Sequence, residues 1–144
     1  MDDYENIKIL TELHKDAKMG MDSISYVSKK VKDPKFKDNL SFQYTQYSQF
    51  LDRINKLFEN YGEIPKENNM SEKMMTWMGI QMNTIDDKST SHIAEIMIQG
   101  TDMGIISGRK LLNSNPNVTD DVKSLLNNFI STQENNITQL KKFL

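Results

Sequence analysis

Between residues 36 and 61, Phe36, Leu40, Gln43, Tyr47, Phe50, Ile54, Leu57 and Tyr61 recur at alternating intervals of three and four. At 3.6 residues per turn this spacing keeps all eight on one stripe of a helix, and such a stripe is buried only against other helices. The same rhythm runs through Ile7, Leu10, His14, Ala17, Met21, Ile24, Ser28 and Val31. It returns near the end in Val122, Leu125, Phe129, Ile137, Leu140 and Leu144. No stretch alternates with the period of two that a half-buried strand requires. Together with a helix from about Ser89 to Leu112, this gives four seams of roughly 25 residues, or ~37 Å each at 1.5 Å per residue. The expectation is an all-α, up-down antiparallel four-helix bundle. A chain of 144 residues fills one such domain, spanning 1–144.

The boundaries carry their own signals. Asp2 or Asp3 is placed to cap the first helix, and Asp33-Pro34 to end one turn and begin the next helix. Gly62 stands where a left-handed C-terminal cap belongs, with Pro65 just beyond it. Ser71, flanked by Met70 and Met75, reads as the cap of a short extra helix before the third long one. Asp86 to Lys88 interrupts the apolar pattern before Ser89 or Thr90 caps the long helix. Asn113 to Asn117 is a turn, and Thr119 with Asp120 and Asp121 starts the last helix.

The third long helix contains Gly100, Gly104 and Gly108. Glycine in a helix costs about 1 kcal/mol relative to alanine, so three on one face imply close approach by a neighbouring backbone or ring. Seven of the ten methionines lie between Met70 and Met103, which makes that half of the core adaptable. The seams also carry polar residues near their midpoints: His14, Gln43 with Tyr47, Gln99 beside Gly100, and Gln133 with Asn136. If these stand at one height they form a polar layer that fixes register, or one that holds a metal or small ligand.

The pattern around Met19-Gly20-Met21, Lys32-Asp33-Pro34, Gly62-Glu63-Ile64-Pro65, Met74 to Trp77 and Asp87-Lys88-Ser89, leading into Ser91-His92-Ile93-Ala94-Glu95 and Gly100, resembles uncharacterised ferritin-like bundle proteins of Gram-positive anaerobes. That resemblance implies a ferritin-like bundle with no known reaction attached. Dinuclear ferritin-like sites take a glutamate from each of two helices and Glu-x-x-His from each of the other two. Here the corresponding seams offer His14, Gln43 to Gln46, and Gln133 to Ile137, so the carboxylate set is missing and no metal is expected. His92 and Glu95, three apart, make a weak surface pair rather than a metal site.

Eighteen basic and twenty acidic residues give a net charge of -2, which supplies no attraction for nucleic acid or an anionic membrane. No run reaches the roughly 18 apolar residues of a membrane span, and the acidic start lacks the features of a signal peptide. The absence of cysteine excludes thiolate chemistry. No nucleophile, phosphate loop or cofactor motif is evident. The expectation is a cytoplasmic, non-catalytic bundle without a cofactor, acting in interaction or support as a homo-oligomer or with a protein partner. The alternative is a metal- or small-ligand-binding protein that uses the polar layer.

Overall fold

The computed structural model describes residues 3–63, 76–79, 81 and 89–144. Four long helices account for most of them: α1 (Tyr4–Ser28), α2 (Pro34–Asn60), α3 (Thr90–Ser114) and α4 (Asp120–Leu140), followed by a 3-10 turn over Lys141–Phe143. Residues 76–79 are also helical, and no strand occurs among the described residues. Ser71 and its methionine staple, Met74 and Met82, Pro65, and the Asp86 to Lys88 break all lie outside the described residues, as does Asp2.

Local chemistry sets most helix ends. The Asp33 carboxylate accepts from the backbone N–H of Lys35 at 2.8 Å and of Phe36 at 3.1 Å, and Pro34 follows with its φ already helical. Ser89 Oγ accepts from His92 N–H at 3.2 Å. Gly62 closes α2 at φ +68°, a region L side chains avoid. The first helix departs from expectation, because Asp3 makes no side-chain cap.

Helix directions follow from the contacts. Gly20 on α1 meets Tyr47 on α2, and His14 meets Phe58, so α1 and α2 are antiparallel. Gly104 meets Gln133 and Gly108 meets Ile130, so α3 and α4 are antiparallel. Phe50 packs on Phe129 and Tyr61 bonds to Thr119, which sets α2 antiparallel to α4. Asn6 and Thr119 share an end of the bundle, so α1 and α4 run parallel. It follows that α2 and α3 are parallel, so the expected up-down alternation does not hold between them, and that Gly62 and Ser89 stand at opposite ends of a bundle ~37 Å long. Short links therefore join α1 to α2 and α3 to α4, but not α2 to α3.

The core is hydrocarbon along most of its length. Phe36, Leu40, Tyr47, Phe50 and Ile54 are buried as the α2 seam requires, and Phe129 sits between Phe50 and Tyr47 with centroid distances of 5.1 and 5.9 Å. Ile9, Leu13 and Val27 widen the α1 stripe beyond the predicted seam, whereas Leu144 lies exposed past the end of α4.

Candidate functional site

Two groups of buried polar residues interrupt the hydrocarbon. At the end where α1 and α4 begin, Asn6 Oδ1 accepts from Thr119 N–H at 2.9 Å and from its hydroxyl at 3.2 Å. The Tyr61 hydroxyl lies 2.9 Å from the same Thr119 Oγ1, which also bonds to Asp121. Asn115 Nδ2 donates to Leu111 O at 2.9 Å, and Glu5 accepts from Asn117 N–H at 3.1 Å. This cluster is closed on itself and holds the α3–α4 turn against α1.

The second group lies mid-bundle. The Tyr47 ring rests so closely on Gly20 that a Cβ there would fall 2.8 Å from it. Its hydroxyl interacts with the side chains of Gln133 and Asn136. Burial pushes the phenol up to about 12, against those two amides, with the nearby Asp16 adding to the rise. Gln133 in turn reaches its amide nitrogen over Gly104, where a Cβ would fall 2.6 Å away. Gln133 Oε1 has no hydrogen-bond partner although its residue is 4% exposed. Such orphaned groups cost about 1–3 kcal/mol each.

Beside them lies a cleft of about 50 Å³ to which all four helices and the 76–79 segment contribute. Its inner wall is Tyr47, Gln133, Ile96, Met97 and Met78, all buried; its outer rim is Asp16, Met19, Gly20, Trp77 and Gly100, all partly exposed. Thr101 also lines it, but its hydroxyl is committed to Met97 O at 2.7 Å. The Asp16 carboxyl is raised to about 7, mainly by burial and then by neighbouring Glu12, with Lys15 opposing. It is thus close to half ionised at neutral pH. Among the described residues, Asp16 and Tyr47 are the cleft's ionisable ones, and no Lys, Arg or His lines it.

The predicted polar layer is therefore only partly a layer. Tyr47, Gln133 and Asn136 gather, but His14 packs against Phe58, with its ring held below the usual histidine range by burial and then by Lys18. Gln43 bonds to Asn39 at 2.7 Å, one turn beyond Tyr47 on the other side. Adding six residues of α1 (14 to 20) and four of α2 (43 to 47) puts His14 and Gln43 about 15 Å apart along the axis. Gln99 is a correction: it is exposed, because the α3 face carrying Met97, Thr101 and Gly104 points inward and residue 99 lies about 200° round from Met97.

The glycine strip faces inward, with Gly108 under Ile130 and Leu126 and Gly104 under Gln133. Gly100 only borders the cleft, where a Cβ would sit an ordinary 3.9 Å from Trp77. His92 and Glu95 are 3.8 Å apart, and His92 Nε2 also lies 3.2 Å from Gln81 O, so this histidine ties the segment before α3 to the helix. Asp16 was hidden in the sequence by its neighbour Lys15, since the pair reads as a charged outer face. The available signal was its position four residues before Gly20, which puts both on one side of α1.

No family model and no curated protein matches the chain. Among solved structures it is similar to a conserved hypothetical protein, rv2844, from Mycobacterium tuberculosis, with a TM-score of 0.74 at 10% identity over 100% of this chain and 99% of that one. At that identity the likeness speaks for the fold alone. It extends over the whole helical arrangement.

Proposed function

We propose that the chain is a non-catalytic, ferritin-like bundle of the cytoplasm whose mid-bundle cleft binds a small organic ligand. Two antiparallel hairpins joined across the length of the bundle are the arrangement that ferritin-like folds build with one long crossover. The observation that carries the ligand reading is a cleft that Gly100 leaves open, walled by Gln133, whose amide oxygen is unpartnered. Among the described residues no three of His, Asp and Glu converge, which favours an organic guest over a metal. The glycine strip, which in the sequence suggests a seat for a partner helix, is filled by Gln133 and Ile130 of the same chain. What supports self-association instead is the exposed pair Met103 and Ile106 on α3, and light scattering at micromolar concentration tests it.

The test of the cleft is xenon under pressure, followed through the resonance of the Trp77 indole N–H. A saturable shift in the native chain that is lost in Gly100→Leu, whose side chain would enter the cleft, is the expected result. Equal, non-saturating responses in both would overturn the reading.

A further inference from the structure

We infer that the cleft takes the end of a short aliphatic primary amine, with Asp16 as its counter-ion and Gln133 Oε1 as a second acceptor. This rests on the cleft being a ligand site and goes on to say which chemistry enters it. An ammonium group brings three donors and no acceptor, and the cleft offers the complement: a carboxylate at the rim, the Gln133 amide, whose oxygen is unpartnered, in the wall and, among the described residues, no cationic side chain. Met97 and Met78 suit the hydrocarbon that follows. Size narrows the class further. About 50 Å³ is well below the roughly 150 Å³ that admits benzene, so a chain end of a few atoms enters and an aromatic ring does not. An anion would meet Asp16 with no cation among the described lining residues to offset it.

Binding and protonation are linked. The amine requires ionised Asp16, so it binds more tightly above about pH 7 and loses its advantage as Asp16 takes up a proton below that. The charged and titratable groups around Asp16 are Glu12 and Lys15 on its own helix and Tyr47 from α2; α3, α4 and residues 76–79 bring none to the cleft wall.

The experiment is an NMR titration of the indole N–H of Trp77, the chain's one tryptophan, with propan-1-amine, propan-1-ol and propanoate at equal ionic strength. At about pH 8 the amine should bind about tenfold more tightly than the alcohol, as a charge-assisted bond to a carboxylate implies, and propanoate should not bind. Asp16→Asn should bring the amine to the level of the alcohol. In the native chain the preference should vanish near pH 5.5, a readout independent of any variant. Alcohol binding as tightly as the amine, or an amine preference that survives both Asp16→Asn and low pH, overturns the cation while leaving the cleft a ligand site. If none of the three gives a saturable shift, the ligand site falls and the amine with it.

Discussion

The two polar clusters are made of similar residues and end in different states. At the bundle end, the Asn6 carbonyl and the Thr119 N–H and hydroxyl are all used within the protein, and the result is a knot between α1 and α4. In the middle, Gln133, which lines a cleft, leaves its amide oxygen unpartnered. Satisfied polar groups specify register, whereas unsatisfied ones carry a cost that an apolar replacement would remove.

The largest effect should come from the hydrocarbon that both clusters lean on. Phe129→Ala, which removes the ring between Tyr47 and Phe50, should lower stability by about 3–5 kcal/mol in denaturant unfolding. A smaller effect separates two glycines that the sequence does not distinguish. Gly20→Ala forces a methyl to within 2.8 Å of the buried Tyr47 ring and should cost about 1–3 kcal/mol. Gly100→Ala meets only ordinary contact with Trp77 and should gain up to about 1 kcal/mol through helix propensity. A thermal shift of the same sign for both would break the distinction between a packed contact and an open rim.

Asp16 gives a pH signature. Its folded pKa, about 7, lies above the ordinary 3.8, so the folded state holds the proton more tightly. Its contribution to stability is full below about pH 4, declines as pH rises toward 7 and is constant beyond that. Asp16→Asn should therefore gain on the native chain across this window, by about 1–2 kcal/mol above pH 7 once partial exposure is allowed for. His14 acts in the opposite sense: its lowered pKa removes stability as pH falls below about 6.5, and His14→Leu should abolish that slope in acid unfolding curves.

Much of the fold was legible because helix periodicity is a local property. The α2 seam from Phe36 to Ile54, the Asp33-Pro34 start and the Gly62 end are each set by neighbours within a few residues. What periodicity does not encode is axial register between helices. Placing seam midpoints at one height put His14, Gln43 and Gln133 together, whereas the Gly20–Tyr47 contact slides His14 one way along the axis and Gln43 the other. The crossing between α2 and α3 was hidden for a related reason, since helix direction is fixed by contacts as remote in sequence as Asn6 with Thr119. Of the site, Tyr47, Gln133 and Asn136 were visible as polar interruptions of apolar seams. Asp16 was not, because a carboxylate beside a lysine is the commonest sign of a solvated face.

Paired thermal unfolding of Asn6→Leu and Gln133→Leu tests most directly whether the two clusters differ in kind. Asn6→Leu strands the Thr119 N–H and should cost about 1–2 kcal/mol, while Gln133→Leu removes both an unpartnered oxygen and an amide that meets the Tyr47 hydroxyl, opposing effects that should leave it within about 1 kcal/mol of the native chain. The same Gln133→Leu protein should bind propan-1-amine more weakly than the native chain in the Trp77 titration. A loss of stability in Gln133→Leu as large as that in Asn6→Leu, with amine binding intact, would contradict the account.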